Sequence, residues 1–215
     1  MLHKEVIIID YGVGNVFSVK QAFEKIGVHA VITSDPEIIK EAKHLVLPGV
    51  GAFEKAMQAL HDRRLTDVIK YVANRGKPVL GICLGMQMLL DESDEFGVTK
   101  GLGLIPGRVE RFPMGQKDFP PVKIPQVNWH ELALSTSNIS WQDSLLNAQS
   151  LSDEVYFVHS FVAKPVDNEH VLAEYLCGGN RISAVIAKKN VMGCQFHPEK
   201  SGEVGLAILR NFMSV

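Results

Sequence analysis

The apolar positions of the chain alternate between two rhythms. Val6-Ile-Ile-Ile-Asp10 is a β-branched run with no polar gap, the pattern of a strand covered on both faces, and it ends in the turn Tyr11-Gly-Val-Gly-Asn15. Val16, Val19, Ala22, Phe23 and Ile26 then recur at the spacing of one helix face, and Gly27 supplies the stop signal. The alternation repeats with a strand over 30–33, a helix opening at Ser34-Asp-Pro-Glu37, a strand over 44–47 and the glycine loop Pro48-Gly-Val-Gly51. Phe53, Ala56, Met57 and Leu60 begin the next amphipathic helix. A further apolar run at 79–82 passes through Cys83-Leu-Gly85 into Met86, Leu89 and Leu90.

From 97 to 128 the chain turns to proline and glycine without a helical period, which predicts loops and β-hairpins. The polar stretch 135–152 predicts a surface excursion with a short helix. Strands follow over 155–159, 171–175, 182–188 and 191–196, with a closing helix over 204–212. Strands alternating with helices predict an α/β fold: a mostly parallel sheet flanked by helices, with antiparallel strands added in the C-terminal half. Ligands of such sheets bind at the carboxyl ends of the strands, where the loops 10–15, 48–51 and 83–85 fall. No linker or repeat divides the chain, so 1–215 reads as a single domain.

Composition narrows the function classes. Hydrophobic residues make up 46% and charged residues 21%, a globular balance that argues against disorder or a coiled coil. The 22 Lys and Arg against 24 Asp and Glu, without a run of like charge, argue against nucleic-acid binding. The first apolar run is too short for a signal-peptide core, and nothing approaches the ~18 apolar residues of a membrane span, so the expectation is a cytoplasmic protein without a membrane partner. The three cysteines, Cys83, Cys177 and Cys194, lack C-x-x-C spacing and fit neither a disulfide framework nor a zinc site. No metal and no cofactor is expected.

Gly81-Ile-Cys-Leu-Gly85 carries the first candidate chemistry. A strand runs into a helix through a nucleophile flanked by glycines two positions either side, the cysteine form of the nucleophile elbow. At a helix start the thiolate is favoured and backbone N–H groups are free to receive an oxyanion. A thiol nucleophile needs a base, and the base an orienting group. Gly193-Cys-Gln-Phe-His-Pro-Glu199 supplies both, because Pro198 biases His197 toward an extended backbone in which His197 and Glu199 share a side. The loop at 48–51 lacks the Lys-Ser/Thr of a P-loop, and Gly12 and Gly14 lack the third glycine of a dinucleotide fingerprint, since position 17 is Phe. Its remaining use is N–H donation to an oxyanion from Gly49, Val50 and Gly51, with the Leu84 N–H as second donor. His159 reads as structural packing. His44 opens a strand, His3, His29, His61, His130 and His170 read as solvated, and Cys177 and Cys194 as small core or turn residues.

Together, Gly81-Ile-Cys-Leu-Gly-Met-Gln-Met-Leu89 and Gln195-Phe-His-Pro-Glu-Lys-Ser201 resemble the nucleophile and His/Glu motifs of the class I glutamine amidotransferases. Ile9-Asp-Tyr-Gly-Val-Gly-Asn15, Leu47-Pro-Gly-Val-Gly-Ala-Phe53 and Tyr156-Phe-Val-His-Ser160 extend the resemblance, over Ile9 to Ser201, to one branch: the glutaminase subunits of imidazole glycerol phosphate synthase. The resemblance implies a flavodoxin-like sheet and a triad of Cys83, His197 and Glu199. It further implies oxyanion donors at Val50 and Leu84, and glutamine held among Gly49, Gly51, Gln87, Ser160 and Phe161. It also implies a heterodimer with a (β/α)8 cyclase subunit that consumes the ammonia, with Asn15 and Trp129 at the shared interface. The chain departs from the branch at Pro125-Gln-Val-Asn-Trp-His130, where Pro-His-Met-Gly-Trp-Asn is usual, and at Phe161, where Tyr is usual. Those positions are expected to face the partner, which leaves open a paralogue supplying ammonia for acetamidino groups of bacterial surface sugars; a catalytically silent interaction subunit that keeps only the scaffold is the remote alternative.

Overall fold

The strands are β1 (Glu5–Ile9), β2 (His29–Thr33), β3 (Leu45–Gly49), β4 (Val79–Cys83), β5 (Glu92–Ser93), β6 (Thr99–Lys100), β7 (Gly107–Arg111), β8 (Gln126–Glu131), β9 (Ala133–Leu134), β10 (Glu154–His159), β11 (Phe161–Pro165), β12 (Val171–Cys177), β13 (Asn180–Lys188) and β14 (Val191–Cys194). The helices are α1 (Val16–Lys25), α2 (Pro36–Lys40), α3 (Phe53–Asp62), α4 (Leu65–Asn74), α5 (Leu84–Met88) and α6 (Gly202–Phe212). This computed structural model describes residues 5–215.

The run in β1 divides its side chains between two cores, Val6 and Ile8 joining one and Ile7 and Ile9 the other. That division requires cover on both faces, and the helices provide it. Residues of α1 and α6 pack on the side of Val46, Leu80 and Ile82, while α2, α3 and α4 pack on the side of Leu45, Leu47 and Val79. Burying each such aliphatic side chain is worth about 1.5–3 kcal/mol, and here the gain is collected on both faces of one sheet. The eight-stranded sheet runs β2-β1-β3-β4-β14-β13-β12-β9. β2 through β14 are parallel neighbours, and β13, β12 and β9 continue the sheet antiparallel. Local signals set the helix ends: the Asn15 side chain accepts from Ser18 N, Asp35 accepts from Glu37 N, and Gly27 closes α1 at φ +79°.

Three differences from the sequence reading have physical causes. The apolar face begun at Phe53 breaks at Arg63 and Arg64, the latter at φ 57°, and restarts as α4 with Leu65, Val68, Ile69 and Val72 in the same core. The stretch 135–152 forms turns and no helix; it is pinned by buried Trp141, Leu145 and Leu146, with Trp141 Nε1 donating to Leu172 O at 2.9 Å. β11 follows β10 after a single residue and pairs with β7 in a separate four-stranded sheet, β11-β7-β5-β6. Among the described residues no helix is long and apolar enough to cross a membrane.

Candidate active site

Parallel pairing of β4 with β14 brings together residues more than a hundred positions apart. Val191 stands opposite Val79 and Cys194 opposite Ile82, so both strands end at the same edge and the turn after β14 emerges beside Cys83. β3 lies on the other side, Gly49 opposite Cys83, and delivers the 48–51 loop to the same place.

The elbow is built by exclusion. A Cβ on Gly81 would come 2.6 Å from the Gly85 backbone, and one on Gly85 would come 1.8 Å from Leu47 O. Cys83 itself sits at φ 54°, ψ −112°, a backbone a side-chain-bearing residue holds only when its surroundings enforce it. The helix after it is short, Leu84–Met88, so its dipole gives Cys83 little, and what remains is the cluster of N–H groups at its first turn.

His197 and Glu199 face one another across the Pro198 turn, with Nδ1 and Oε1 2.8 Å apart and both side chains buried. Nε2 of His197 is buried with no hydrogen-bond partner, as is Oε2 of Glu199. The Sγ···Nε2 pair falls outside hydrogen-bond geometry, yet Cys83 lies close enough to act on the ring. Burial disfavours a charged imidazole, but Cys83 and Glu199 outweigh it and raise the His197 pKa from 6.5 to about 10. A pKa raised on folding stabilises the native state fully below about pH 6.5, and that stabilisation is lost as pH rises through about 10. Glu199→Gln removes one of the two causes. The stability advantage of the wild type over this variant is therefore expected to be larger at pH 7 than at pH 10, measured by denaturant unfolding of both proteins. An advantage that is constant with pH would contradict the pairing.

The turn is held in place from β10. His197 N donates to Tyr156 O at 2.9 Å, while Ser201 Oγ donates to His197 O at 2.7 Å and accepts from Tyr156 N at 3.0 Å. On the other side Tyr11, fully buried, donates from Oη to Pro48 O at 2.9 Å and fixes the 48–51 loop. Burial, reinforced by the charge of Cys83, raises the Tyr11 pKa and keeps this phenol a donor.

A cavity of about 290 Å³ opens over the sulfur, lined among others by Val50, Gly51, Leu84, Gln87, Ser160 and Phe161 together with Cys83 and His197. Gly49 does not line it; a Cβ there would meet Tyr11 Oη at 2.6 Å, so its role is to let strand and elbow close together. Asn15 is an exposed helix cap away from the cavity, and Trp129 is 44% exposed on β8, its ring tilted against that of Tyr156 with centroids 5.8 Å apart. In the departing segment 126–130, Val127, Asn128 and Trp129 are exposed, whereas Gln126 is buried against Cys177 and His130 packs on Phe157 and Tyr175, so only part of it faces outward. His130 is thus no solvated histidine. His44 likewise packs edge-on against Phe212, while His29 and His61 are exposed and His3 lies outside the described residues.

His159 packs as expected, yet it also forms part of the cavity wall. Burial lowers its pKa to about 4, so the ring is neutral; Nδ1 lies 2.7 Å from Phe161 O and Nε2 2.8 Å from Tyr175 Oη. Two groups at the site went unread in the sequence, one in the cavity wall and one buried behind the sulfur. Glu95, after β5, adds a carboxylate to the wall while its Oε2 accepts from Phe53 N at 2.7 Å, capping α3. Gln195, wholly buried, donates from Nε2 to Cys83 Sγ at 3.6 Å. Neither carries a local signal beyond, for Gln195, its place one residue past β14.

The family model of glutamine amidotransferase class-I matches residues 7–215. The chain is 49% identical, over 98% of its length and 99% of the relative's, to imidazole glycerol phosphate synthase subunit HisH 1 of Legionella pneumophila. It is 45% identical to the HisH subunit of Geobacter metallireducens, over 96% of each chain. Among solved structures, PurLQS from Thermotoga maritima superposes with a TM-score of 0.73 at 20% identity, covering 99% of both chains, a likeness of fold. The chain belongs to the class I glutamine amidotransferase family, in its branch of imidazole glycerol phosphate synthase subunits.

Proposed function

We propose that this chain hydrolyses glutamine through Cys83, His197 and Glu199 and passes the ammonia to a (β/α)8 cyclase subunit, as the glutaminase half of a cytoplasmic imidazole glycerol phosphate synthase in histidine biosynthesis. The observation that carries it is a strained cysteine at the floor of a cavity, beside a buried histidine whose far nitrogen is held by a carboxylate.

In this reading Cys83 Sγ attacks the carbon of the side-chain amide, and N–H groups of Leu84 and Val50 receive the developing oxyanion. His197 gives its Nε2 proton to the amide nitrogen, the C–N bond breaks, and ammonia leaves a glutamyl thioester. A water then gives a proton to the neutral imidazole as it attacks the thioester; the C–S bond breaks, and glutamate departs as the thiolate and imidazolium return. Glu199 holds the ring tautomer throughout. Gln87, Gly51, Ser160 and Phe161 surround the substrate, and the Glu95 carboxylate suits its α-ammonium group.

A second reading, ammonia supply for acetamidino groups of surface sugars, is favoured by the outward-facing Val127 and Asn128, which depart from the branch on an exposed ribbon. The test is glutamine turnover with and without a cyclase partner and its acceptor. Free ammonia without an acceptor is wasted, so a histidine-pathway ribotide with its cyclase is expected to raise turnover about tenfold or more, in the range of ordinary site-to-site coupling. Stimulation by a nucleotide-linked amino sugar instead, or equal turnover with and without a partner, would overturn the assignment.

A further inference from the structure

The Phe161 carbonyl sets the polarity of a buried chain of hydrogen bonds that ends at the nucleophile. A carbonyl only accepts, and two groups converge on it: His159 Nδ1 at 2.7 Å and Gln87 Nε2 at 3.1 Å. With its NH₂ so directed, Gln87 also donates from Nε2 to Gln195 Oε1 at 2.9 Å. Reversing the Gln195 amide would set its NH₂ against that of Gln87, so its oxygen is fixed toward Gln87 and its nitrogen toward Cys83 Sγ, 3.6 Å away. The sheet places it there: Cys194 pairs with Ile82, so Gln195 comes alongside Cys83 with its own N–H donating to Ala184 O.

We propose that Gln195 is a positioning residue for the nucleophile, its amide locked by Gln87 so that an N–H donor faces the Cys83 sulfur and favours the thiolate over the thiol. The protonated thiol has a different partner, Val158 O at 3.8 Å, so moving the proton to His197 exchanges an acceptor for this donor. Gln195 is neutral and assists without competing for the proton. The other titratable groups around the sulfur are His197 backed by Glu199, Tyr11 beyond β1 and Cys194 on β14, with His159 and Glu95 in the cavity wall.

The proposal rests on Cys83 as nucleophile, but its test needs no glutamine turnover. The rate of Cys83 alkylation by iodoacetamide is followed against pH in the full chain, with the label assigned by mass spectrometry. Gln195→Leu is expected to move the midpoint upward by about one pH unit, slowing alkylation about tenfold on the acid side and leaving the alkaline plateau unchanged. Gln87→Leu frees the amide to rotate and should move the midpoint the same way by less; the double variant should match Gln195→Leu alone. A purely structural Gln195 would lower thermal stability without moving the profile. An unmoved midpoint in Gln195→Leu overturns the proposal, and should that variant fail to fold, an unmoved midpoint in Gln87→Leu does so. Glutamine turnover persisting in Cys83→Ala would instead defeat the underlying reading.

Discussion

Replacing Cys83 with alanine is expected to cut glutamine hydrolysis by at least about 10⁴-fold, because without the sulfur no thioester forms and only binding and the oxyanion site remain. The loss should be in chemistry, not folding. Cys83 is buried, but alanine removes a single sulfur atom beside a cavity already open to solvent, so thermal unfolding should shift by only a few degrees. The other two cysteines offer no substitute. Cys194 is fully buried and its thiol is pushed up by that burial, and Cys177, the last residue of β12, is pushed the same way. Assaying hydrolysis with the cyclase partner present, beside a circular-dichroism melt, separates the two effects; turnover within tenfold of wild type in a folded variant would remove Cys83 from the mechanism.

Sequence order made the frame of this site readable, for reasons particular residues show. Val6 to Ile9 could be read as a two-faced strand because alternate residues do feed two cores, and glycines 81 and 85 marked an elbow because side chains there would overlap backbone. His197 and Glu199 were readable together because their relation is local, two residues across a proline. The parts that escaped depend on geometry between elements. The α3–α4 break falls at Arg63-Arg64, with no glycine or proline to announce it, since the conformation of Arg64 is imposed by packing on either side. Trp141, Leu145 and Leu146 lie among polar residues, and only the fold reveals that this stretch reaches the core. Glu95 enters the cavity wall from a loop after a two-residue strand, and Gln195 gains its meaning from the register of β14 on β4. A motif encodes what neighbours in sequence do for one another; a sheet register encodes what distant segments do.

Glu199→Gln should lower kcat about 10²–10⁴-fold with little change in KM. The carboxylate oxygen at 2.8 Å from His197 Nδ1 keeps a proton on that nitrogen and leaves Nε2 to exchange one with the sulfur and the amide. A glutamine amide in the same place offers an NH₂ as readily as an oxygen. When the NH₂ faces Nδ1, the ring proton is driven to Nε2, and the neutral ring can no longer take one there. KM should hold because Glu199 lies outside the cavity, behind the histidine, in a groove shared with Ser18, Gln21 and Lys25. The amide keeps the shape of the carboxylate and His197 can shed its proton once the buried anion is gone, so the variant should fold, with reduced stability. Steady-state kinetics decide between the two parameters. A large rise in KM at unchanged kcat would place Glu199 in substrate binding, and no change in either would mean that His197 keeps its tautomer without a carboxylate behind it.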